Sequence, residues 1–272
     1  MRRLALLLLA FTVPALAQNA PLFPRFSITG GAYQADFSTD VRVDEDLAGA
    51  NGATTGTRIN LERDLGLDEQ HSVRRFEARW RPFARHELAA SILSADRSGF
   101  AQINRDITFR DVTYPVQAEV ATTFDVDYRD LTYTYWAHRA DRNGIGIMLG
   151  AAGISIDASI IANSAAGGVA ITQQASTDVP VALGGVQARF ALTRNLLAEG
   201  SIGVLPRVTI DQYSGRALNG AVAIEWRLTP SLGIGAEYRD FRLDGSVARV
   251  DFNGDLDMRV NGAEAFVRLA LP

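Results

Sequence analysis

The chain has 272 residues, 47% of them hydrophobic, with 27 basic residues that are all arginine, 31 acidic residues and a net charge of −4. The absence of cysteine excludes a disulfide scaffold and a thiolate metal site, and a mildly acidic chain without a basic block is a poor nucleic-acid binder. Beyond the first residues no run approaches the roughly 18–20 consecutive apolar residues of a membrane helix, so the apolar surface must be used either in a soluble sandwich or against lipid.

In chain order, Arg2 and Arg3 form a positive start, Leu4 to Val13 an apolar run, and Ala15-Leu16-Ala17 a small-x-small cleavage motif. That order describes a secretory signal peptide over residues 1–17, too short for a stable membrane span. Residues 18–272 are expected to form one barrel domain, beginning near Gln18 after cleavage.

From there the dominant period is two, that of a strand with unlike faces. Over 73–81, Phe76, Ala78 and Trp80 share one face, while Arg75, Glu77, Arg79 and Arg81 share the other. Over 221–228, Val222, Ile224, Trp226 and Leu228 stand opposite Ala221, Ala223, Glu225 and Arg227. The last run sets Ala263, Ala265, Val267, Leu269 and Leu271 against Glu264, Phe266, Arg268 and Ala270.

Short connections rich in Pro, Asn, Asp and Gly, at 81–86, 140–144, 193–195 and 229–231, alternate with longer ones near 44–54, 111–117, 161–179, 211–215 and 244–257. Short turns on one side and longer loops on the other predict an all-β fold, a closed antiparallel up-and-down transmembrane β-barrel. The connections delimit ten strands, at about 26–43, 55–81, 87–110, 118–139, 145–160, 180–192, 196–210, 216–228, 232–243 and 258–270. Asp64-Leu65-Gly66-Leu67-Asp68 interrupts the second with a turn or helical knot, which leaves eight or twelve strands open. An even count brings both chain ends to the short-turn side.

Two strands change phase. Val120, Phe124, Val126 and Tyr128 share one parity, and Leu131, Tyr133 and Tyr135 the other, with the switch at Tyr128-Arg129-Asp130. The same tripeptide recurs at Tyr238-Arg239-Asp240, where Ile234, Ala236 and Tyr238 give way to Phe241 and Leu243. Either a β-bulge inserts one residue there, or the strands leave the bilayer at that level and no longer need a lipid face.

Charge placement favours lipid over water. Glu77, Arg79, Arg81, Glu225, Arg227, Glu237, Glu264 and Arg268 lie opposite the apolar residues, and are expected to fill a narrow lumen as a network of paired hydrogen bonds. On the lipid face an arginine would cost about 2–4 kcal/mol at the bilayer midplane; the alternative is the wet face of a soluble sheet. Trp80, Trp136 and Trp226 each precede a short turn and are expected to form an interfacial girdle, although Trp136 breaks parity with Tyr133 and Tyr135. Glycines between 144 and 203 either relieve crowding in a tightly curved wall or mark a weakly specified region over 144–170.

A search for chemistry returns no catalytic, cofactor or metal site. His86 and His138 fall near two short turns and His71 in a polar connection, none with ligand spacing. The pairs Asp125/Asp127 and Asp255/Asp257 each place two carboxylates on one face, where repulsion could raise a pKa, but no histidine is expected beside them. Nucleophile-elbow, zincin and P-loop motifs are absent, and 251–257 lacks the ligand spacing of a calcium loop.

With its leader, the short-turn hairpin Trp226 to Tyr238 and the amphipathic last strand, the chain resembles the small outer-membrane β-barrel proteins of Gram-negative bacteria, the OmpA-, OmpW- and opacity-like group. That resemblance implies an outer-membrane location, contact with membrane lipid and lipopolysaccharide, assembly by the barrel-assembly machinery, and a monomer. Such proteins usually end on an aromatic residue; this sequence reads Leu269-Ala270-Leu271-Pro272, with Phe266 inside the last strand. The expected role is structural or surface-interacting and non-enzymatic, the alternatives being a narrow channel for small solutes or hydrophobic compounds, a barrel enzyme acting on lipid or peptide, or a soluble lipid-binding barrel.

Overall fold

The computed structural model describes residues 22–45, 56–109, 112–163, 171–248 and 252–271; the expected signal peptide lies outside them. In chain order the elements are β1 (Phe26–Glu45), β2 (Ile59–Asn60), α1 (Leu61–Leu65), β3 (Gln70–Phe83), β4 (His86–Gln102), β5 (Ile107–Phe109), β6 (Val112–Tyr114), β7 (Glu119–Arg139), β8 (Asn143–Asn163), β9 (Ile171–Ala191), β10 (Leu196–Ile210), β11 (Tyr213–Arg227), β12 (Leu232–Ala248) and β13 (Phe252–Leu271). Ten of these, β1, β3, β4 and β7 to β13, pair antiparallel with their neighbours. The ring closes through β1–β13, from Phe26↔Leu271 to Glu45↔Phe252. Closure leaves no open edge in the wall, the condition a sheet must meet to cross a bilayer.

The short turns have a sequence-level cause. Thr193-Arg194-Asn195-Leu196 and Thr229-Pro230-Ser231-Leu232 make the same turn: the threonine hydroxyl accepts from the backbone N–H of the leucine three residues on, and the leucine carbonyl accepts from the N–H groups of the threonine and the residue before it. The hydroxyl thus satisfies a donor that a tight turn would orphan. At the other end, the expected interruption of the second strand is α1. Asn60 caps it by accepting from the Arg63 N–H, and Gly66 ends it in the left-handed region, at φ 71°.

Several strands run further than expected on the loop side. Residues 171–179, read as loop, continue β9 in register with β8, and β12 and β13 extend to Ala248 and from Phe252. Conversely, β4 stops at Gln102, and the small hairpin β5–β6 follows it. About nine to eleven tilted residues suffice to cross a bilayer, so strands of 20 and 21 residues project well beyond it.

The phase changes are not bulges. Pairing of β7 with β4 and of β12 with β13 runs without a break through 128–130 and 238–240. Phe124, Val126, Tyr128, Asp130 and Thr134 all face inward, as do Glu237, Arg239, Phe241 and Leu243. What changes is the filling of the barrel. On the turn side the outer wall carries Ile28, Phe76, Ile92, Leu131, Ile147, Val186, Ile202, Val222, Ile234 and Val267, all exposed, around an interior of arginine and glutamate. On the loop side the interior is apolar, built by Val43, Leu61, Leu65, Val120, Phe124, Ile154, Ile156, Leu243 and Met258. There the outer wall carries Asp125, Asp157, Arg216, Arg242 and Arg259. Each half puts outside what its surroundings tolerate: hydrocarbon against lipid, charge against water. The wall leaves the membrane at the two Tyr-Arg-Asp tripeptides.

Candidate functional site

The turn-side lumen holds six arginines and six glutamates, contributed by seven strands. Arg75 meets Glu77 at 2.6 Å and Glu264 at 3.4 Å; Arg79 meets Glu77 at 2.5 Å and Glu199 at 2.7 Å. Arg189 holds Glu87 through two parallel bonds of 2.6 and 2.8 Å and also touches Glu199 at 3.2 Å. Arg268 meets Glu225 at 2.6 Å, Arg227 bonds the same carboxylate, and Arg239 meets Glu237 at 2.5 Å. An unpaired buried charge costs several kcal/mol, about 3–5 when one partner is removed, so equal numbers of the two signs are what allow this filling. Two glycines make room for it: a Cβ on Gly31 would collide with the Glu264 carboxylate, and one on Gly233 with that of Glu225.

Of the charges expected inside, Glu77, Arg79, Glu225, Arg227, Glu237, Glu264 and Arg268 lie in this network. Arg81 does not. Pairing of β3 with β4 shifts between Trp80 and Phe83, and Arg81 instead donates to the carbonyls of Phe23 (2.7 Å) and Pro24 (3.3 Å) at the mouth. Arg75, Glu87, Arg189, Glu199 and Arg239 were not among the expected set, although strand parity alone places each of them inward.

Trp80 and Trp226 lie half exposed on the outer wall, but Trp136 corrects the expected girdle. It is fully buried within the lumen, edge-on to Phe23 at 4.8 Å and above the Arg189 guanidinium at 4.6 Å. Even-numbered residues of β7 face inward from Val120 to Trp136, up to the register shift before His138, so parity decides the side of Trp136 and the nearby turn does not. Leu22, Phe23, Trp136 and Leu197 form one apolar cluster that closes the turn-side mouth. Between this lid and the loop-side core lies a polar cavity of about 80 Å³, lined among others by Arg79, Glu87, Ser91, Asp130, Gln187 and Arg239. It is large enough for water, which needs roughly 10–15 Å³ by the same measure.

Above the cavity α1 sits inside the wall. Glu62 accepts from the Thr39 backbone N–H at 2.8 Å and from Arg97 at 2.6 Å, and Arg97 also bonds the Thr39 hydroxyl and lies 4.2 Å over the Phe37 ring. Both charged side chains are buried. The lumen is therefore filled at three levels: aromatic lid, charge network and apolar core.

The remaining candidates face elsewhere. Asp125 and Asp127 point outward from β7. Asp125 stands in register with Asp96 and Asp157, and its pKa is raised by partial burial and then by Asp96, Asp157 and Asp127. Asp127 accepts from the Ser94 hydroxyl at 2.5 Å. Asp255 pairs with Arg42 at 2.7 Å and Asp257 with Arg58 at 3.7 Å. His86 bonds the Tyr133 hydroxyl and His138 the Asn143 amide oxygen, both at 2.7 Å. Among the described residues no group of three or more metal-ligating side chains is assembled.

A closed ten-stranded antiparallel barrel with a lipid-facing apolar band and a charged lumen is an outer-membrane β-barrel. A solved structure shares the fold over most of its length. The outer membrane protease OmpT of Escherichia coli is similar over 90% of this chain and 97% of that one, with 11% identity and a TM-score of 0.55. Ail, the attachment invasion locus protein of Yersinia pestis, matches over 89% and 98%, with 12% identity and a TM-score of 0.28. The toluene transporter TodX of Pseudomonas putida matches over 89% of both chains, with 7% identity and a TM-score of 0.29. No protein-family model and no curated protein sequence matches the chain.

Proposed function

We propose that this protein is a closed, monomeric, non-enzymatic barrel of the outer membrane that carries a rigid extramembrane wall for structural support or surface interaction. The observation behind this reading is the filled lumen. Phe23 and Trp136 close one mouth, the arginine–glutamate network ties seven strands together, and α1 occupies the other half. A water column would have to break several paired charges at once, each costly to leave unpaired.

Planar-bilayer recording tests it. Purified folded protein is expected to give no stable conductance steps; steps whose size changes with Arg79→Ala or Glu225→Ala would replace this reading with a narrow channel. That second reading draws on the polar cavity of about 80 Å³, and needs both the lid and α1 to move. A proteolytic role like that named for OmpT finds little support, because the acidic pair Asp125/Asp127 faces outward, His71 and His86 lie on β3 and β4, and His138, although on β7, lies at the opposite, turn-side end of that strand.

A further inference from the structure

Outside the barrel, on the loop side of Val222 and Tyr238, four arginines gather around two aspartates. Arg207 and Arg216 reach Asp244 at 2.8 and 2.9 Å; Arg242 and Arg259 reach Asp240 at 2.8 and 3.2 Å. Each carboxylate thus carries two guanidiniums, and each cluster keeps one unmatched positive charge. Arg242 and Arg259 are directly opposed in the β12–β13 register, an arrangement that costs stability between like charges. Packing does not require it, since these side chains remain about half exposed, 48–63%.

The two clusters are close. Arg216 is opposite Asp244, two residues along β12 from Arg242, so the nearest arginines of the two clusters stand one sheet diagonal apart, about 7–8 Å between backbones. The aspartates that centre the clusters are four residues, about 13 Å, apart along β12. Directly below them the wall turns apolar, with Val204, Val222 and Tyr238 exposed. The opposite face of the barrel is its electrical inverse: Asp96, Asp125 and Asp157 lie side by side across β4, β7 and β8.

We propose that the β10–β13 face binds the diphosphorylated saccharide headgroup of an outer-leaflet glycolipid, each arginine pair taking one phosphate. Guanidinium pairs bond phosphate oxygens in a fork geometry and keep their charge at any relevant pH. Two cationic centres at fixed spacing fit two phosphates on one headgroup. Continuity with the apolar band selects a lipid, whose acyl chains would lie on Val222 and Tyr238, over a free anion. The proposal does not depend on whether the lumen conducts.

The test uses the full folded chain in neutral detergent micelles doped with diphosphoryl lipid A or, separately, with phosphatidylglycerol, and counts retained lipid by native mass spectrometry. Wild type is expected to retain lipid A, and the double variant Arg216→Ala/Arg242→Ala to retain it about tenfold more weakly, the order expected for lost charged hydrogen bonds. Arg129→Ala, an exposed arginine on the acidic face, makes the same kind of charge change and is expected to bind as wild type. Heat-modifiable gel migration verifies folding, and Arg242→Gln alone replaces the double variant if that fails. Equal retention by all three proteins, or equal loss in Arg129→Ala, would overturn the proposal. So would arginine-dependent retention of phosphatidylglycerol as strong as that of lipid A.

Discussion

The indole of Trp136 lies 4.6 Å from the Arg189 guanidinium carbon, inside the wall, with Phe23 edge-on to it at 4.8 Å and 5.8 Å from the same guanidinium. Arg189 is in turn locked on Glu87 by two bonds. The lid and the charge network are therefore one unit: the aromatic pair shields the paired charges from water at the mouth, where a lower dielectric strengthens them.

Removing that indole should cost as much as a core truncation. Trp136→Ala is expected to lower unfolding stability by about 3–5 kcal/mol, measured by urea unfolding of the barrel refolded into lipid vesicles. Trp226→Ala, which leaves the lumen untouched and thins only the lipid-facing wall, is expected to cost clearly less. Equal losses would mean that Trp136 contributes as an interfacial residue after all.

The side on which Trp136 lies was legible in its parity, and was obscured by its distance from the turn. Parity is a local geometric constraint, whereas preference for the headgroup level is a weak average over many proteins, so the first wins where they conflict. The same constraint would have found Arg189, Glu199 and Glu87, each of which parity turns inward. The ten strands and the short turns were legible because alternation and turn chemistry are both local. The inversion at Tyr128-Arg129-Asp130 was visible as a phase change, but its cause was not: a bulge and a change of solvent produce the same string of residues, and only unbroken pairing separates them. The capping of α1 by Asn60 and Gly66 was written in the sequence, yet where α1 packs depends on contacts with β1, β4 and β7, far along the chain.

Orientation of β11 gives a second prediction. Val222 is exposed to lipid, while Ala223 faces the lumen and borders the polar cavity. Val222→Arg is expected to lose about 2–4 kcal/mol of membrane-inserted stability, read as reduced folding yield on heat-modifiable gels and a lower urea midpoint. Ala223→Arg, which can direct its guanidinium toward Glu199 and the cavity, is expected to insert far better. Equal tolerance at the two positions would contradict the inside–outside assignment of the wall.

The pair Glu62–Arg97 carries the attachment of α1, and its worth can be separated from its burial. Both side chains are almost fully enclosed, and the two aromatic rings of Phe37 and Phe124 flank the guanidinium at 4.2 and 5.1 Å. Removing either partner strands a charge in an apolar core, so Glu62→Leu and Arg97→Met are each expected to cost about 3–5 kcal/mol. With both replaced, no charge is stranded and the aliphatic side chains can pack against Phe37 and Phe124. The double variant should therefore be markedly more stable than the sum of the single losses predicts, with a coupling energy of about 2 kcal/mol or more in a double-mutant cycle. Thr39, whose N–H donates to Glu62 and whose hydroxyl accepts from Arg97, limits the recovery, because both groups lose their partners in the double variant. Strict additivity would show that α1 is held by its leucines alone, and that Glu62 and Arg97 do not act as a pair.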